Sequence, residues 1–471
     1  MNKEELKKRA LSLVTIQWNY QLTIEEYGDD EAFFIWTNEE QDEGVTINLD
    51  YHGNLTKLSI DKDEEFLDGK QLELEERRRR ADQFLLQHYP DALEHLCFSK
   101  SEKLTESYRY NYEQLVMGLP LEHAGCYIDV NNAGEIINFT YYGKKKIPEI
   151  PKELISIEKL IEDVKNKLDS QLVVTSVFSF LHDVKEDGYR LVYEMEPSFM
   201  KFNANAQEPS LSIIHDEGDP QVYETLPLLQ ENQQNDKTIE EIVGITENME
   251  VLREVDMGEE TGIVWRNRDW KMEEKDLSLD SFWRNRTEDT AKAMISKKTG
   301  KLRSFIWFAE RDGDLDLTRE DCYQIAVGFL QNVVPELYQY VKLNKRDAED
   351  EEDDRSKESF IFSMFIGEIP VQSEVLIVTV NTNTGLIDHY SGPSIESEQL
   401  KELPKEPVLT KEEANEVFFN HLDFELAWKK DYEKEVDEYH LVYQACDKYT
   451  KTSIRYIDAI TGEVITSKHR D

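Results

Sequence analysis

Cysteine, basic residues and long apolar runs are scarce in this sequence, and each scarcity excludes a class of protein. Four cysteines in 471 residues, none in a CxxC pair, argue against a disulfide framework or a zinc site and indicate reduced, mostly buried thiols. A net charge of −43 argues against nonspecific binding to nucleic acid or to an anionic membrane, because affinity for phosphate groups needs a positive surface. No apolar run is long enough to cross a bilayer, and the amino terminus has no signal-peptide core. We therefore expect a soluble cytoplasmic protein that neither binds nucleic acid nor inserts into a membrane.

Recognisable catalytic and metal-binding motifs are also missing. The ten histidines are scattered without paired ligand spacing, and there is no HExxH, GxSxG, P-loop or dinucleotide-binding fingerprint. Asp312, Asp314 and Asp316 imitate an EF-hand loop, but Leu317 replaces its glycine, so Thr318 is better explained as a helix start. We predict no metal, no cofactor and no enzymatic activity. The alternative is an enzyme that uses an unrecognised pair of carboxylates.

What the sequence does contain is a repeated β-hairpin. Residues 124–143 have the alternation of two strands joined by a turn at Gly134, where glycine permits the positive φ of a tight turn. The pattern recurs at 45–60, 293–308, 375–392 and 454–467, and in degraded form at 211–223. Predicted helices precede these hairpins, so each repeat is expected to be one helix packed on a small antiparallel sheet.

The order of these units starts again after residue 237. FFIWTN at 33–38 corresponds to GIVWRN at 262–267, and Gly134 and Gly385 lie 251 residues apart. These landmarks predict an α+β protein of two homologous halves, each a tandem array of three modules. The predicted modules are residues 1–66, 67–147, 148–229, 238–312, 313–396 and 397–471, with a linker at 230–237.

These features resemble the YcdB/YcdC repeated-domain family of Bacillus-type bacteria, whose modules are similar to PepSY domains. The residues that carry the resemblance are Trp36 and Trp265, the turns at Gly118 and Gly367, and the hairpin turns at Gly53, Gly134, Gly300, Gly385 and Gly462. The family has no established activity, and PepSY-like domains are associated with binding or inhibiting peptidases. The resemblance implies a noncatalytic protein that binds a protein or peptide partner. An intracellular peptidase inhibitor or a chaperone-like regulator is the alternative.

One local site stands out where the fourth module departs from the others. The string WRNR occurs twice, in WRNRDW at 265–270 and in FWRNR at 282–286. If both stretches are strands of a lengthened hairpin, alternate arginines share one face and the tryptophans take the other. The predicted partner-binding residues are Trp265, Arg266, Arg268, Trp270, Trp283, Arg284 and Arg286. An acidic peptide, a carboxylate or another subunit fits such a patch. Alternatively, the arginines neutralise carboxylates of the same chain.

Two further charge runs have simpler interpretations. The acidic run at 347–354 is expected to be a solvated loop, with weak binding of a cation or a basic partner as the alternative. The four arginines at 77–80 lie in a predicted helix, where glutamates at helical spacing are expected to pair with them.

Overall fold

A computed structural model of the chain describes residues 1–14, 19–62, 72–196, 201–206, 222–228, 238–271, 276–345, 356–432, 434 and 437–468. The α-helices are α1 (Lys3–Leu13), α2 (Leu74–His88), α3 (Ile157–Lys167), α4 (Ile239–Val243), α5 (Leu279–Thr287), α6 (Arg319–Val333), α7 (Ser397–Glu402) and α8 (Lys411–His421). The predicted linker at 230–237, the acidic run at 347–354 and most of the hairpin at 211–223 lie outside the described residues.

The strands of the first half are β1 (Gln21–Tyr27), β2 (Glu31–Thr37), β3 (Gly44–Asp50), β4 (Leu55–Asp61), β5 (Cys97–Lys103), β6 (Ser107–Val116), β7 (Leu119–Asn131), β8 (Ile136–Gly143), β9 (Asp169–Val177), β10 (Gly188–Glu196), β11 (Lys201–Asn203) and β12 (Val222–Thr225). Those of the second half are β13 (Met249–Asp256), β14 (Glu260–Asn267), β15 (Thr290–Ser296), β16 (Leu302–Trp307), β17 (Val341–Lys345), β18 (Lys357–Ile366), β19 (Ile369–Asn381), β20 (Ile387–Ser391), β21 (Leu422–Asp431), β22 (Glu438–Asp447), β23 (Ile454–Asp458) and β24 (Val464–Thr466).

The first two modules share one antiparallel sheet of eight strands, in the order β1-β2-β3-β4-β8-β7-β6-β5. β4 pairs with β8 at Leu58 and Phe139, so the two small sheets join edge to edge. Leu6 of α1 and Leu85 of α2 are buried in the same core as Phe139. The prediction of a separate sheet for each module is therefore wrong here, because two exposed edges satisfy their backbone groups by pairing with each other.

The second half repeats this arrangement, which confirms the two predicted repeats. Its strands follow the order β13-β14-β15-β16-β20-β19-β18-β17, and β12 pairs with β17. Each sheet has the same irregularity in its first strand, after Leu22 and after Val251, the residues that pair with Trp36 and Trp265. An α+β fold of antiparallel sheets with few helices, built from two repeated regions, is thus what the sequence encodes.

The third modules of the two halves exchange strands. β10 pairs with β23, where Tyr193 faces Ile457, and β11 pairs with β22, where Phe202 faces Tyr443. Each third module therefore completes its sheet with a strand from the other half of the chain. A tandem array, in which each module contacts only its neighbours in sequence, does not describe this part of the molecule.

Local signals at helix starts are confirmed. The hydroxyl groups of Thr318 and Thr410 accept the N–H groups of Asp321 and Glu413, whose carboxylates accept the N–H groups of the two threonines in return. These capping boxes fix the first turns of α6 and α8. Thr318 therefore starts a helix, as predicted, and Asp312, Asp314 and Asp316 precede that helix.

The arginine run of α2 differs from its prediction. Arg77 is buried and donates through Nε to a backbone carbonyl at 2.9 Å, while the guanidinium of Arg78 lies 3.9 Å from the ring centroid of Phe98. These two arginines pack against the sheet, where aromatic rings accept the cations. Leu74 and Leu86 of the same helix are exposed.

Candidate functional site

The two WRNR strings adopt different secondary structures. Trp265 and Arg266 lie near the end of strand β14, whereas residues 282–286 lie in helix α5. The hydroxyl of Ser278 caps this helix by accepting the N–H of Ser281 at 3.1 Å, and two arginines in the last turn complement the helix dipole. The lengthened hairpin is therefore a wrong prediction, because the alternation of a strand does not apply to residues on a helix.

The two tryptophans of these strings also separate. Trp265 is 2% exposed and belongs to the core, at the position that Trp36 occupies in the first half. Trp283 projects from α5 with 55% of its surface exposed. The two do not share a face, and of the pair only Trp283 is accessible to a partner.

Three predicted residues meet on the face of the second sheet opposite Trp265. Arg266, Trp283 and Arg286 line a cavity of about 360 Å³, and its other lining residues are Leu252, Arg253, Val264, Asn285 and Lys292. Arg253 of β13 and Lys292 of β15 both pair with Val264 of β14, so the register brings them to the same face. We call this cavity the cationic pocket, because the described residues that line it include four cations and no carboxylate.

The charges of the cationic pocket are incompletely compensated. Burial, and then repulsion by Arg253, Arg286 and Arg266, lowers the pKa of the Lys292 ammonium. Burial and Arg253 lower the pKa of the Arg286 guanidinium. Burial also lowers the pKa of Arg266, although two nearby carboxylates act in the opposite direction. The repulsion that Arg253 exerts on Lys292 and Arg286 would be relieved by an incoming anion.

Arg266 is held in position by a hydrogen bond and by an aromatic ring. Its Nη2 donates to the carbonyl of Asn285 at 2.6 Å, and its guanidinium lies 4.0 Å from the ring centroid of Trp270. The indole N–H of Trp270 donates to the Glu288 carboxylate at 3.2 Å. The Nε of Arg266 is buried without a hydrogen-bond partner among the described residues, an arrangement that costs about 1–3 kcal/mol.

The remaining predicted residues have other positions. Trp270 packs against the guanidinium of Arg266. Arg268 lies 3.8 Å from Glu250, with side chains 61% and 62% exposed. Arg284 is on the exposed side of α5 and does not line the cavity. For Arg268 the neutralisation alternative fits. Sequence reasoning missed Arg253 and Lys292. They could have been found from their positions in β13 and β15, the strands on either side of the strand that contains Trp265.

The segment between β14 and β15 is longer than its equivalent between β2 and β3, and we call it the insertion. It also covers part of the outer edge of the first sheet. The N–H of Glu25 in β1 donates to the carbonyl of Leu277 at 2.7 Å. The N–H of Leu279, the first residue of α5, donates to the Glu26 carboxylate at 3.0 Å, and Arg286 donates to the side chain of Gln41. Residues 276–287 therefore join the two sheets, and the cationic pocket lies beside this junction.

Two larger concave surfaces have a different character. A cleft of about 860 Å³ beside the first sheet is lined mainly by polar side chains, including Glu39, Glu40, Asp42, Glu43, Asp61 and Glu106. A groove of about 930 Å³ lies between β7 and β21. Across the described ranges, no three His, Cys, Asp or Glu residues form a group that could hold a metal ion. In the same ranges, no helix has the length and apolar character needed to cross a membrane.

Comparison with known proteins finds similarity to one family. The model of the YcdB, YcdC repeated domain matches residues 3–143 and 232–394, which contain the two eight-stranded arrangements. Two relatives from Bacillus subtilis (strain 168) are each 30% identical: "Uncharacterized protein YcdB" over 99% of this chain and 98% of its own length, and "Uncharacterized protein YcdC" over 94% and 96%.

A solved structure, the Bacillus megaterium YpeB C-terminal domain, is 16% identical to this chain. The match covers 45% of this chain and 96% of that one, with a TM-score of 0.27. At this score, no inference about fold or function rests on the similarity.

Proposed function

The chain belongs to the YcdB/YcdC repeated-domain family, and from this premise we propose that it is a noncatalytic binding protein whose cationic pocket receives an acidic segment of a protein or peptide partner. We also propose that its modules are PepSY-like units. The names of the relatives supply no activity, so support for the function comes from the pocket.

The observation that carries the proposal is a cluster of cations in a strongly acidic chain. The net charge is −43, yet four cationic side chains line one cavity. Among the described residues, none of these four forms an ion pair with a carboxylate, whereas cations elsewhere do, as in the pairs of Lys301 with Glu336 and Lys451 with Asp423. With 98 acidic residues available, a cluster of cations without ion-pair partners among the described residues is expected where an external anion binds.

The apolar part of the pocket favours a peptide over a small inorganic anion. Leu252 and Trp283 are 53% and 55% exposed and lie beside the cations. Exposed tryptophan and arginine are enriched at protein-binding surfaces, and guanidinium groups bind carboxylates with two parallel hydrogen bonds. An acidic peptide supplies carboxylates for the arginines and aliphatic groups for Leu252 and Trp283.

The pKa values of the carboxyl groups bear on the alternative of a catalytic carboxylate pair. Among the described residues, every carboxyl group with a displaced pKa has a lowered one. For example, hydrogen bonds from Lys411 and Lys451 lower the pKa values of Asp169 and Asp423. A carboxyl group that acts as a general acid near neutral pH needs a raised pKa. The pKa values therefore give no support to the alternative of a catalytic carboxylate pair.

A peptide-binding measurement tests the proposed function. We define the Glu-Thr peptide as a labelled, end-capped peptide of alternating glutamate and threonine with one central leucine. Fluorescence anisotropy should show binding that weakens at least about tenfold in the double variant Arg266→Gln/Lys292→Gln, because two of the four cations are lost. Raising the salt concentration from about 50 to about 500 mM should weaken binding as well.

Two controls accompany this measurement. Lys405→Gln removes an exposed cation outside the pocket and should bind the peptide as the wild type does. A peptide with glutamine in place of every glutamate should not bind. Equal affinity of the wild type and the double variant, or equal affinity for the two peptides, would show that the pocket is not a site for acidic segments.

A further inference from the structure

The first strands of the two sheets, β1 and β13, are equivalent in the repeat. Each lies at one end of its eight-strand order and pairs with the strand that contains the buried tryptophan. Glu25 lies eleven residues before Trp36, and Glu254 lies eleven residues before Trp265. Their backbones therefore occupy corresponding places on the two outer edges.

The hydrogen-bond pattern shows which amides these edges present. The N–H of Gly28 donates to the carbonyl of Glu31 at 2.9 Å, and the N–H of Met257 donates to the carbonyl of Glu260 at 3.0 Å. In an antiparallel pair, alternate residues direct their N–H and C=O groups toward the partner strand or away from it. Glu25 lies three residues before Gly28, and Glu254 lies three residues before Met257. An odd separation reverses the direction, so the N–H groups of Glu25 and Glu254 point away from the sheet.

One of these equivalent edges makes a backbone contact, and among the described residues the other pairs with no strand. The N–H of Glu25 donates to the carbonyl of Leu277, within the insertion that follows β14. In the part of the chain that the structure describes, no strand pairs with the outer edge of β13. The first half has only the short turn at 38–43 where the second half has its insertion, so it offers no corresponding segment to cover β13.

We infer that the outer edge of β13 is an interaction surface on which an extended acidic segment of the partner adds as a further strand. This inference rests on the proposed function, because it specifies how the partner of the cationic pocket binds. Backbone groups of the segment pair with the edge, as in other cases of β-strand addition, and alternate side chains enter the pocket. At the equivalent place on β1, one outward amide already donates to the backbone of Leu277, which follows Asp276 and precedes Asp280 in sequence.

The two faces of β13 specify the pattern of the added segment. Arg253 lies on the face of the cationic pocket, and Glu254 lies on the opposite face. Opposite charges on one face of adjacent strands attract and like charges repel. Acidic side chains are therefore favoured at every second position of the segment, next to Arg253, and disfavoured at the positions between, next to Glu254. The alternating Glu-Thr peptide has this pattern.

Backbone methylation of the peptide separates strand addition from simple charge attraction. A version of the Glu-Thr peptide with N-methyl groups on alternate backbone amides keeps all its carboxylates but cannot extend a sheet on that side. Both methylation phases are made, so that one of them blocks the amides that would face β13. We expect this phase to bind at least about tenfold more weakly than the unmodified peptide.

Amide hydrogen exchange in the full-length protein gives a second readout that needs no substitution. The unmodified peptide should slow exchange at Glu254, while the amide of Glu25, which already donates to Leu277, should not change. Glu254→Pro removes the outward N–H without removing a bond to β14, and it should weaken peptide binding.

The outcomes distinguish the two levels of the proposal. If both methylated peptides bind as tightly as the unmodified one and exchange at Glu254 is unchanged, while Arg266→Gln/Lys292→Gln still weakens binding, strand addition is refuted and the proposed function stands. If the unmodified peptide does not bind or does not respond to the charge variant, the proposed function is refuted and the strand-addition mode is refuted with it. Selective loss with one methylation phase, together with slowed exchange at Glu254, supports both.

Discussion

Replacing each tryptophan of the two WRNR strings by alanine should separate the fold from the binding site. Trp265 is 2% exposed, and Trp283 is 55% exposed. A buried tryptophan removes about 150–250 Å² from water, which at about 25 cal/mol per Å² corresponds to about 4–6 kcal/mol. Allowing for partial collapse of the cavity, we expect Trp265→Ala to lower the free energy of unfolding by about 3–5 kcal/mol. Trp283→Ala should lower it by about 1 kcal/mol or less, because much of that side chain is already in water.

Urea unfolding followed by far-UV circular dichroism measures the first effect, and anisotropy with the Glu-Thr peptide measures the second. Trp283→Ala should weaken peptide binding while its urea midpoint stays close to that of the wild type. Trp36→Ala is the matched control, since Trp36 is 4% exposed at the equivalent place in the first sheet. It should be as destabilising as Trp265→Ala and leave peptide affinity unchanged under folding conditions. The reasoning is wrong if Trp283→Ala destabilises the protein as much as Trp265→Ala, or if it binds the peptide with wild-type affinity.

Three further predictions concern packing inside the molecule and the strand exchange between its halves. Arg311 donates to two backbone carbonyls and lies 3.6 Å from the buried Asp388, so Arg311→Met should cost about 3 kcal/mol in urea unfolding, and a loss below about 1 kcal/mol would contradict this. Burial and the charges of Asp437 and Glu122 raise the pKa of Tyr439 to about 12, above its ordinary value of 10.0, so the stability it contributes is present below pH 10 and is lost as pH rises through about 12. Spectrophotometric titration of Tyr439→Phe should lack one late-titrating tyrosine; an unchanged titration curve would contradict the prediction. Because β10 pairs with β23 and β11 with β22, the two halves produced separately should associate when mixed, and elution as two independent species in size-exclusion chromatography would contradict the strand exchange.

Features that depend on neighbours in sequence were predictable, whereas features that depend on distant pairing were not. The hairpin turns and the caps at Thr318 and Thr410 follow from local chemistry, and the echo of Trp36 in Trp265 identified the repeat. Alternation along a strand specifies its two faces but not its neighbour in the sheet. The joining of β4 to β8, and of β10 to β23, was therefore not evident from the sequence. β1 was missed entirely, because its sequence QLTIEEY has a weak apolar alternation.

The candidate site was predictable only in part, because it too depends on the pairing of distant strands. The repeated WRNR string identified Arg266, Trp283 and Arg286, but the pocket also requires Arg253 and Lys292, which only the register of β13 and β15 against β14 brings to the same face. The error about the second string was avoidable. The serine at the N-cap of α5, followed by an acidic residue in its first turn, is a helix-start signal that outweighs the alternation of a short polar string.

The two repeats differ in the insertion between β14 and β15, and this difference distinguishes residues needed for the fold from residues available for binding. The eight strands of each repeat follow the same order. The first half joins its second and third strands by a short turn at 38–43, so the insertion between β14 and β15 is not needed to form the second sheet. A segment that served only to cover β1 would need its backbone contact at Leu277 and the start of α5, but no tryptophan exposed to solvent and no cation directed toward β13. Instead, α5 brings Arg286 to three cations of the second sheet, where burial first, and then repulsion between neighbouring cations, lowers the pKa values of Arg286 and Lys292. Clustering of like charges lowers the stability of the folded protein. A bound anion would offset this repulsion, and binding of an anion therefore explains why the cations lie together.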